Sequence, residues 1–358
     1  MHNQQKIKSV LGIMSGTSLD GLDLALCNFN ANGTGYELVK AVTIEYSTDW
    51  KNKLRSVHQY TAEAFAELNF TYGKFIGEEA SKFLKTNKLS ADALASHGHT
   101  IFHQPQLGFS TQIGSGSAIA AFSGLTTVCD FRSLDVALGG QGAPLVPIGD
   151  KLLFHEYAAC LNIGGIANIS YDNESGERKA YDICVANMVF NYLAEKMNMP
   201  YDKDGLIALS GNTIQALLSE LNELDYYKQK GARSLGFEWF EKYILQLLNK
   251  YKDHSTEDLM ATFNEHSSIA IANVLNENHL KNILITGGGA YNKKLIANIK
   301  NKSTAHLIIP DATVINFKEA LIFAFLGYLR LNEQTNTLSS VTGAKQNSIG
   351  GAVYLFNQ

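Results

Sequence analysis

Residues 12–23 constrain this chain more than any other stretch, because they place small, hydroxyl and carboxylate side chains between two apolar runs. The sequence there is Gly-Ile-Met-Ser-Gly-Thr-Ser-Leu-Asp-Gly-Leu-Asp. Residues 7–13 and 22–29 on either side have the apolar alternation of β-strands. The sequence therefore predicts a β-hairpin whose turn is rich in hydrogen-bonding groups.

The residue types in this turn suit a phosphate group. Gly12 and Gly16 let the backbone approach an anion closely, so that the amides of a tight turn donate to its oxygens. Thr17 and Ser18 add hydroxyl groups. The turn is therefore predicted to bind a phosphate.

Two carboxylates beside these donors point to a metal ion. Asp20 and Asp23 would repel a bare phosphate, and a divalent cation between carboxylate and phosphate removes the repulsion. A magnesium nucleotide satisfies both groups, with Asp20 as the expected metal ligand. The alternative is a polar hairpin without a ligand, because Asp20 and Gly21 form a pair that tight hairpin turns favour.

A second glycine turn follows half a chain later, in residues 158–170. Gly164 and Gly165 again lie between two strand-like runs, and Asn162 and Asn168 flank them with neutral hydrogen-bonding groups. Two such hairpins indicate a duplicated architecture that holds one ligand from two sides. The boundary between the two halves is predicted near residue 155.

A third glycine-rich segment, residues 281–295, reads as a buried strand, a triple-glycine turn and a helix start. Glycines 287–289 match neither the Gly-x-Gly-x-x-Gly nor the Walker pattern, which argues against a Rossmann or P-loop enzyme. Helical periodicity is predicted elsewhere, and strands alternate with helices, which favours an α/β class. The predicted helices cover residues 51–88, 185–197, 213–224, 239–249 and 256–276.

Composition narrows the classes of partner. The chain has 358 residues, 45% of them hydrophobic, which is enough for two packed domains. A net charge of -4 without a basic block makes nucleic acid and membrane surfaces unexpected partners. Residues 1–8 lack the apolar core of a secretory signal, so a cytoplasmic protein is expected.

The four cysteines have no Cys-x-x-Cys spacing and are expected to be buried thiols. A nucleophilic Cys184 beside Asp182 is the alternative. It would need a nearby cation to form a thiolate, and the sequence shows none there.

Taken together, the motifs resemble those of the anhydro-N-acetylmuramic acid kinases, within the actin, hexokinase and Hsp70 superfamily. The similar stretches occur in the family's order along nearly the whole chain. They are residues 12–23, 96–103, 130–132, 139–147, 161–169, 286–292 and 318–320. Residues 203–205 and 233–236 also resemble family stretches, and no chemistry is assigned to them.

The resemblance implies two duplicated actin-like ATPase domains of ribonuclease H-like fold around an interdomain cleft, the first formed by residues 1–155 and 335–358 and the second by residues 156–334. It implies ATP and Mg²⁺ as cofactors, an anhydro amino sugar as substrate and a homodimer. The implied reaction opens the 1,6-anhydro bridge and phosphorylates O6, giving N-acetylmuramic acid 6-phosphate in peptidoglycan recycling. The implied nucleotide-binding residues are Gly16, Thr17, Ser18, Asp20, Gly21, Asp23, Gly164, Gly165, Gly287, Gly288 and Gly289.

Asp182 and Glu319 are the catalytic residues that the resemblance implies. An anhydro sugar has no free hydroxyl at O6, so a water must attack the anomeric carbon, and a carboxylate such as Asp182 is needed to take its proton. The alternative for Asp182 is a helix N-cap. Glu319 would act near the metal or the attacking water, or would be a first-turn glutamate favoured by the helix dipole.

His97, Arg132 and Asn187 are expected to contact the substrate. Arg132 would form a forked pair with the lactyl carboxylate of muramic acid, or an ordinary surface ion pair. His99 stands where the family commonly has Gln, so that His97, His99 and His103 look like a metal cluster on one strand face. Hydrogen bonding or packing is the preferred interpretation of these three histidines.

One departure from the family pattern concerns residues 183–186, Ile-Cys-Val-Ala, which replace a segment containing glycine and proline. Losing two glycines restricts the backbone and adds Cβ atoms where a ligand would approach. Two alternative functions therefore stay open. They are a catalytically impaired homologue that binds nucleotide and sugar, and a kinase of a related free amino sugar.

Overall fold

The structure is a computed structural model that describes residues 8–16, 19–229, 231 and 233–357. The chain divides into two compact units. The first unit comprises the residues up to Leu153 together with those from Phe317 onward, and the second comprises Phe154–Asn316. Each unit has its own mixed β-sheet with helices packed on it, which confirms the predicted α/β class.

The strands of the described residues belong to these two sheets and to one small ribbon. They are β1 (Ser9–Ser15), β2 (Gly21–Phe29), β3 (Tyr36–Glu45), β4 (Ala93–Ser96), β5 (His99–Gln104), β6 (Phe109–Ile113), β7 (Thr127–Cys129), β8 (Ala159–Ile163), β9 (Ile166–Asp172), β10 (Arg178–Val185), β11 (Asn282–Thr286), β12 (His306–Ile308) and β13 (Ala352–Tyr354).

The helices range from single turns to seven turns. They are α1 (Thr48–Ser56), α2 (Ala62–Asn87), α3 (Gly116–Ser123), α4 (Ser133–Ala137), α5 (Pro147–Leu153), α6 (Asn187–Glu195), α7 (Leu206–Ser210), α8 (Gln215–Asn222), α9 (Asp225–Lys228), α10 (Phe237–Trp239), α11 (Leu245–Lys250), α12 (Thr256–Glu277), α13 (Lys293–Lys302), α14 (Ala312–Leu331) and α15 (Ser339–Thr342). A π-helical turn, Phe240–Ile244, joins α10 to α11.

The two large sheets repeat one topology. In the first unit the order is β13-β7-β4-β1-β2-β3, with β1, β2 and β3 antiparallel in sequence and β4 and β7 parallel to β1. In the second unit the order is β10-β9-β8-β11-β12, with the same directions. Each sheet therefore has the order three-two-one-four-five of a ribonuclease H-like domain, which confirms the predicted duplication.

Both predicted glycine hairpins are present. β1 pairs with β2 up to Ser15 opposite Leu22, and β8 pairs with β9 up to Ile163 opposite Ala167. The first sheet packs helix α2 against the apolar face of β1, β2 and β4. The glycine turn of each unit thus joins the first two strands of its sheet.

The predicted helix over residues 51–88 is two helices. Thr61 has an extended backbone and accepts a 3.3 Å hydrogen bond at Oγ1 from the amide of Ala64, so it begins α2. An N-cap of this kind satisfies an amide that has no partner in the first turn. Ser47 caps α1 in the same way through Trp50 N. Helical periodicity alone runs through the break because both helices contribute buried residues to the same hydrophobic core.

Residues 317–334, predicted to belong to the second domain, group with the first unit. The reason is the packing of α14 on the first sheet. A Cβ on Gly12 would collide with the carbonyl oxygen of Ala320 and lie 2.7 Å from the amide nitrogen of Ala324, so the helix backbone lies directly on β1. A Cβ on Gly327 would lie 2.5 Å from the Cβ of Ala95 in β4. Gly12 therefore serves helix packing and not, as predicted, the approach of an anion.

α14 is also the one helix of the described residues that is long and apolar enough to cross a membrane. Its 18-residue window has a mean hydropathy of 1.4, and 72% of that window is buried inside the protein. This burial is typical of a core helix, so its composition reflects packing.

We expect Gly12→Ala to lower the free energy of unfolding of the first unit by about 3 kcal/mol, because backbone atoms of α14 must move to admit the added methyl group. The chain has two tryptophans. Trp50 lies in the first unit, so its fluorescence in a Trp239→Phe background reports unfolding of that unit alone. Gly35→Ala is the control within the same unit, because its added methyl group would meet only the side-chain amide of Asn30, which can move. Equal denaturation midpoints for both variants would contradict the packing role of Gly12.

Candidate active site

The turn of the first hairpin points one carboxylate outward. Leu19 has a left-handed backbone (φ 59°), its side chain is buried, and its amide lies 3.4 Å from the carbonyl oxygen of Gly16. Asp20, which follows, is exposed. Thr17 and Ser18 lie outside the described residues. Gly21 is the first residue of β2, where a Cβ would lie 2.6 Å from the carbonyl oxygen of Ile44, so the sheet itself requires glycine there.

Asp20 and Asp23 form an acidic pair. Asp23 Oδ1 accepts a 2.6 Å hydrogen bond from Thr43 Oγ1. Burial raises the pKa of Asp23 above its ordinary value, and the negative charge of Asp20 raises it further, whereas the Thr43 bond lowers it. A nearby cation would stabilise both carboxylates.

This pair fits a nucleotide-borne Mg²⁺ better than a protein-only metal site. In the described part of the chain, no three His, Cys, Asp or Glu side chains come together as a metal site. Mg²⁺ is usually held by one or two carboxylates, with phosphates and waters completing its shell. An exposed Asp20 beside the glycine turn provides the hard oxygen ligand that this arrangement needs.

His97 and Arg132 are hydrogen-bonded to each other in the first unit. His97 Nδ1 lies 2.9 Å from the carbonyl oxygen of Gly98, so Nδ1 carries the proton and donates. His97 Nε2 then accepts from Arg132 Nη2 at 2.8 Å and from Nε at 3.2 Å. Burial and the charge of Arg132 hold the pKa of His97 well below 6.5, so the imidazole is neutral and accepts from the guanidinium.

Arg132 does not form an ordinary surface ion pair, which was the alternative to a forked pair with the substrate carboxylate. Its Nη1 donates to the carbonyl oxygen of Gly142 at 2.6 Å, and burial lowers its pKa to about 10, while the charge of Glu319 raises it. The guanidinium therefore stays charged at neutral pH. Two of its five N–H groups are without a protein partner among the described residues and are available to a carboxylate.

A polar cavity of about 300 Å³ lies beside His97 in the same unit. This volume is at the lower end of the range for small-molecule sites. Its hydrogen-bonding side chains include Asn69, Ser110, Gln112, Ser115, Asp130 and Ser133. The cavity thus offers mainly neutral donors and acceptors.

The three histidines do not form a metal cluster. Gly98 has a left-handed backbone (φ 73°) between β4 and β5, so His97 does not share a strand face with His99 and His103. His99 Nδ1 is 2.9 Å from Ser15 Oγ, and burial lowers the pKa of His99 to about 4. His103 Nδ1 is 3.1 Å from Ser110 Oγ. The structure therefore agrees with hydrogen bonding and packing.

Glu319 is not in the first turn of its helix. α14 begins at Ala312, and the Asp311 carboxylate accepts from the amides of Thr313 (2.8 Å) and Val314 (3.0 Å), which makes Asp311 the cap. The interpretation of Glu319 as a dipole-favoured first-turn residue is therefore wrong. The sequence missed the earlier start because the apolar periodicity is strong only from Ala320 onward.

Glu319 interacts electrostatically with Asp23, Lys318 and Arg132. Its side chain is exposed, yet the protein atoms around it remove part of its hydration and raise the pKa of its carboxyl group. The charge of Asp23 adds to this effect, and the charges of Lys318 and Arg132 oppose it. Lys318 is buried in a 2.7 Å ion pair with Asp150 Oδ1, a contact that the sequence did not reveal.

In the second unit, the carbonyl oxygens of the glycine turn between β8 and β9 accept hydrogen bonds from the backbone amides at the start of α6. Gly165 O accepts from Ala186 N (2.9 Å) and Met188 N (3.0 Å), and Gly164 O accepts from Asn187 N (3.1 Å). The carbonyls of the turn therefore face the helix, and both glycines have open space where a Cβ would be, with no atom nearer than 3.4 Å.

Asn187 connects this turn to its helix. Its Nδ2 donates to the carbonyl oxygen of Ile163 at 3.2 Å. Its Oδ1 accepts no hydrogen bond from the described residues. The predicted substrate residue therefore has one side-chain atom committed to the fold and one that is available.

Glycines 287–289 have three different surroundings. Gly287 has a left-handed backbone (φ 80°) and packs against Asn162 and Ile163. A Cβ on Gly289 would collide with the side chain of Ile163 and lie 3.0 Å from its carbonyl oxygen. Gly288 alone has room, because the nearest atom to its Cβ would be Asn187 Nδ2 at 3.4 Å. Of the three, Gly288 leaves backbone open to a ligand.

Asp182 lies inside strand β10 and is not a helix N-cap. α6 begins five residues later, at Asn187. Asp182 Oδ2 accepts from Leu235 N at 2.8 Å and from Ser234 Oγ at 3.3 Å, and Oδ1 has no protein partner in the described part of the chain. Burial raises the pKa of Asp182 above its ordinary value, and the bonds from Leu235 and Ser234 lower it.

Residues 183–186 do not line a ligand site. Their four side chains are fully buried in the hydrophobic core of the second unit, which includes Val189 and Phe263. Burial raises the pKa of the Cys184 thiol to about 12, so the alternative of a nucleophilic thiolate is wrong. The departure from the family pattern therefore changes the core and adds no Cβ atoms toward a ligand.

Two sheets of one ribonuclease H-like order, each with a glycine turn between its first two strands, define a protein of the actin-like ATPase class. A model of the family described as anhydro-N-acetylmuramic acid kinase matches residues 8–356. The chain therefore belongs to the anhydro-N-acetylmuramic acid kinase family. It is a kinase that uses ATP and a sugar, with a role in peptidoglycan recycling.

Individual relatives agree over the full length. An anhydro-N-acetylmuramic acid kinase of Francisella tularensis subsp. novicida is 37% identical to this chain, over 98% of it and 99% of the relative. One of Sulfurimonas denitrificans is 33% identical, over 96% and 98%. Among solved structures, (R)-2-hydroxyglutaryl-CoA dehydratase component A of Acidaminococcus fermentans matches with a TM-score of 0.48 and 11% identity, covering 91% of this chain and 99% of that one.

Glycines 288 and 289 give a matched pair for a stability test. Gly289→Ala is expected to lower the free energy of unfolding of the second unit by about 2 to 3 kcal/mol, because its methyl group overlaps Ile163. Gly288→Ala is expected to change it by less than about 0.5 kcal/mol, as at an open position. Trp239 fluorescence in a Trp50→Phe background follows this unit. Similar losses in both variants would contradict the separate surroundings of the two glycines.

Proposed function

We propose that this chain opens 1,6-anhydro-N-acetylmuramic acid with a water molecule and transfers the γ-phosphoryl group of ATP to O6, giving N-acetylmuramic acid 6-phosphate. The observation that carries the proposal is the Asp182 carboxylate, which keeps one oxygen fixed and the other available. A water-activating base needs this combination of a fixed position and a free acceptor.

The proposed reaction balances as one hydrolysis joined to one transfer. The water oxygen bonds to the anomeric carbon, and its proton passes to Asp182 Oδ1. The bond between the anomeric carbon and O6 breaks, and O6 bonds to the γ-phosphorus while ADP leaves. Asp182 later releases the proton to solvent.

The first unit supplies the proposed groups for charge and substrate recognition. Asp20, with Asp23 near it, would hold Mg²⁺, which when bound neutralises charge on the phosphates. Arg132 would pair with the lactyl carboxylate of the sugar through its two remaining N–H groups. His97 lines the polar cavity in which we propose that the sugar's hydroxyl groups bind. Glu319 interacts electrostatically with Asp23 and Arg132, and we propose that it acts beside the metal.

The second unit supplies the proposed nucleotide contacts. Gly164 and Gly165, with Gly16, Thr17, Ser18 and Gly21 of the first hairpin, are the proposed phosphate contacts. Gly288 is the proposed contact of the adenosine between Gly287 and Gly289, and the free Oδ1 of Asn187 is the proposed acceptor for a sugar hydroxyl. We also propose a cytoplasmic location, where ATP is available, and a homodimer.

The alternative of an impaired homologue loses its main support. It depended on side chains of residues 183–186 entering the site, and these side chains are buried in the core. A kinase of a free amino sugar is tested directly, since such an enzyme would turn over a sugar with an open O6 faster than the anhydro sugar.

Asp182→Asn is expected to lower kcat by about 10²- to 10⁴-fold, the usual contribution of general base catalysis, and to leave the binding of ATP and sugar intact. Turnover is measured as ADP and sugar 6-phosphate formed in equal amounts from the anhydro sugar. Asp225→Asn is the control, because that aspartate is exposed in the same unit. Near-normal coupled turnover by Asp182→Asn would refute the proposed role.

Asp20→Asn is expected to raise the Mg²⁺ concentration needed for half-maximal turnover by about tenfold, because one anionic ligand of the ion becomes neutral. Calorimetric titration of the protein with ADP, with and without Mg²⁺, gives a second measurement that does not need turnover. Asp49→Asn, an exposed aspartate of α1, is the control. An unchanged Mg²⁺ dependence of both quantities would remove Asp20 from the metal site.

A further inference from the structure

Residues 233–236, which we call the Asp182 strap, are hydrogen-bonded to Asp182 through both main chain and side chain. Asp182 N donates to the carbonyl oxygen of Arg233 at 3.0 Å. Leu235 N and Ser234 Oγ donate to Asp182 Oδ2 at 2.8 and 3.3 Å. Three consecutive strap residues therefore contact one aspartate.

Arg233 holds the strap through cation–π contacts and hydrogen bonds. Its guanidinium lies 5.2 Å from the ring centres of both Tyr181 and Tyr226, a cation–π contact with each ring. Its Nε donates to the carbonyl oxygen of Asp182 at 3.2 Å, and its Nη1 donates to that of Gln229. Tyr226 OH donates to the same Asp182 carbonyl oxygen at 2.7 Å.

Asp182 needs such support because of its place in the sheet. The pairing of β10 with β9 is irregular between Asp182 and Cys184, where two residues oppose one step of the partner strand. A bulge of this kind bends the strand and re-aims the side chain next to it. Ladder hydrogen bonds alone do not fix the direction of the carboxylate there, whereas the strap does.

We propose that the strap is the positioning element of the catalytic base, with Arg233 and Ser234 as positioning residues that commit Asp182 Oδ2 to the protein and leave Oδ1 for the water proton. This inference rests on the proposed function. It assigns a role to a segment for which the sequence indicated no chemistry.

The groups around Asp182 determine in which direction a strap variant shifts the pH profile of kcat. Within the second unit, Tyr226 and Cys184 interact with it electrostatically, and Arg233 donates to its carbonyl oxygen. Tyr181 is its neighbour in β10. The tyrosines and Cys184 have raised pKa values and stay neutral, so Arg233 carries the neighbouring charge. Hydrogen bonds from Ser234 and Leu235 favour the carboxylate, so removing one raises the pKa of Asp182.

Ser234→Ala tests the strap through the pH profile of kcat. The variant is expected to move the acidic limb of the profile upward by about half a pH unit, because a group that stabilises the charged base is lost. KM for both substrates should stay the same. Ser175→Ala is the matched control, since Ser175 also donates to a side-chain oxygen in the same unit, at Asn173. An unshifted limb would overturn the role of Ser234.

Arg233→Lys separates geometry from charge, because lysine keeps the charge but cannot make the two hydrogen bonds of the planar guanidinium from fixed positions. We expect kcat to fall about tenfold at unchanged KM, and the Leu235 amide to exchange its hydrogen faster as its bond to Asp182 weakens. Wild-type kcat and exchange in a variant with normal thermal unfolding would overturn the inference. If Asp182→Asn abolishes turnover while both strap variants behave as wild type, the inference alone fails. Turnover by Asp182→Asn would instead refute the proposed function.

Discussion

Close backbone contact at glycine holds the candidate residues of each unit in place. In the first unit α14 lies directly on β1 at Gly12, which fixes Glu319 and the buried Lys318 pair with Asp150 relative to the first hairpin. In the second unit Gly289 packs on Ile163 just before the turn that receives α6. Any side chain at these positions would displace a whole helix or loop. Packing contacts within the protein therefore set the geometry around both glycine turns.

The glycines of this chain thus fall into two groups that a sequence does not distinguish. Gly12, Gly21 and Gly289 are required by packing, since a Cβ would meet backbone or core atoms. Gly164 and Gly288 have room for a Cβ, with the nearest atom 3.4 Å away, so packing does not require glycine at either position. Sequence motifs mark both groups equally, because turn chemistry, close packing and phosphate approach all favour the same residue. The prediction that Gly12 faces an anion failed for this reason.

The fold was largely predictable and the fine geometry of the site was not. Strand alternation around the two glycine turns was enough to predict the hairpins and the duplication, because these signals are local. The bulge after Asp182 and the turn at Gly98 depend on contacts distant in sequence. The start of α14 has a local cap in Asp311, and it was missed because the apolar periodicity is strong only from Ala320 onward. These three features decide where Glu319, Asp182 and His97 lie, and they overturned the first-turn, N-cap and histidine-cluster interpretations. The sequence indicated no chemistry for residues 233–236, because their hydrogen bonds to Asp182 join segments that are distant in sequence.

The altered segment after Asp182 fits the same physical account. Glycines allow a chain several backbone directions, whereas the side chains of Ile183, Cys184 and Val185 are fully buried and hold β10 to the core. Burying an aliphatic side chain of this size stabilises a fold by about 1.5 to 3 kcal/mol. The buried side chains therefore hold β10 on the core side of Asp182, and the hydrogen bonds of the strap hold the Asp182 carboxylate itself. Buried apolar side chains in place of flexible glycines change how Asp182 is held. They leave its Oδ1 atom available.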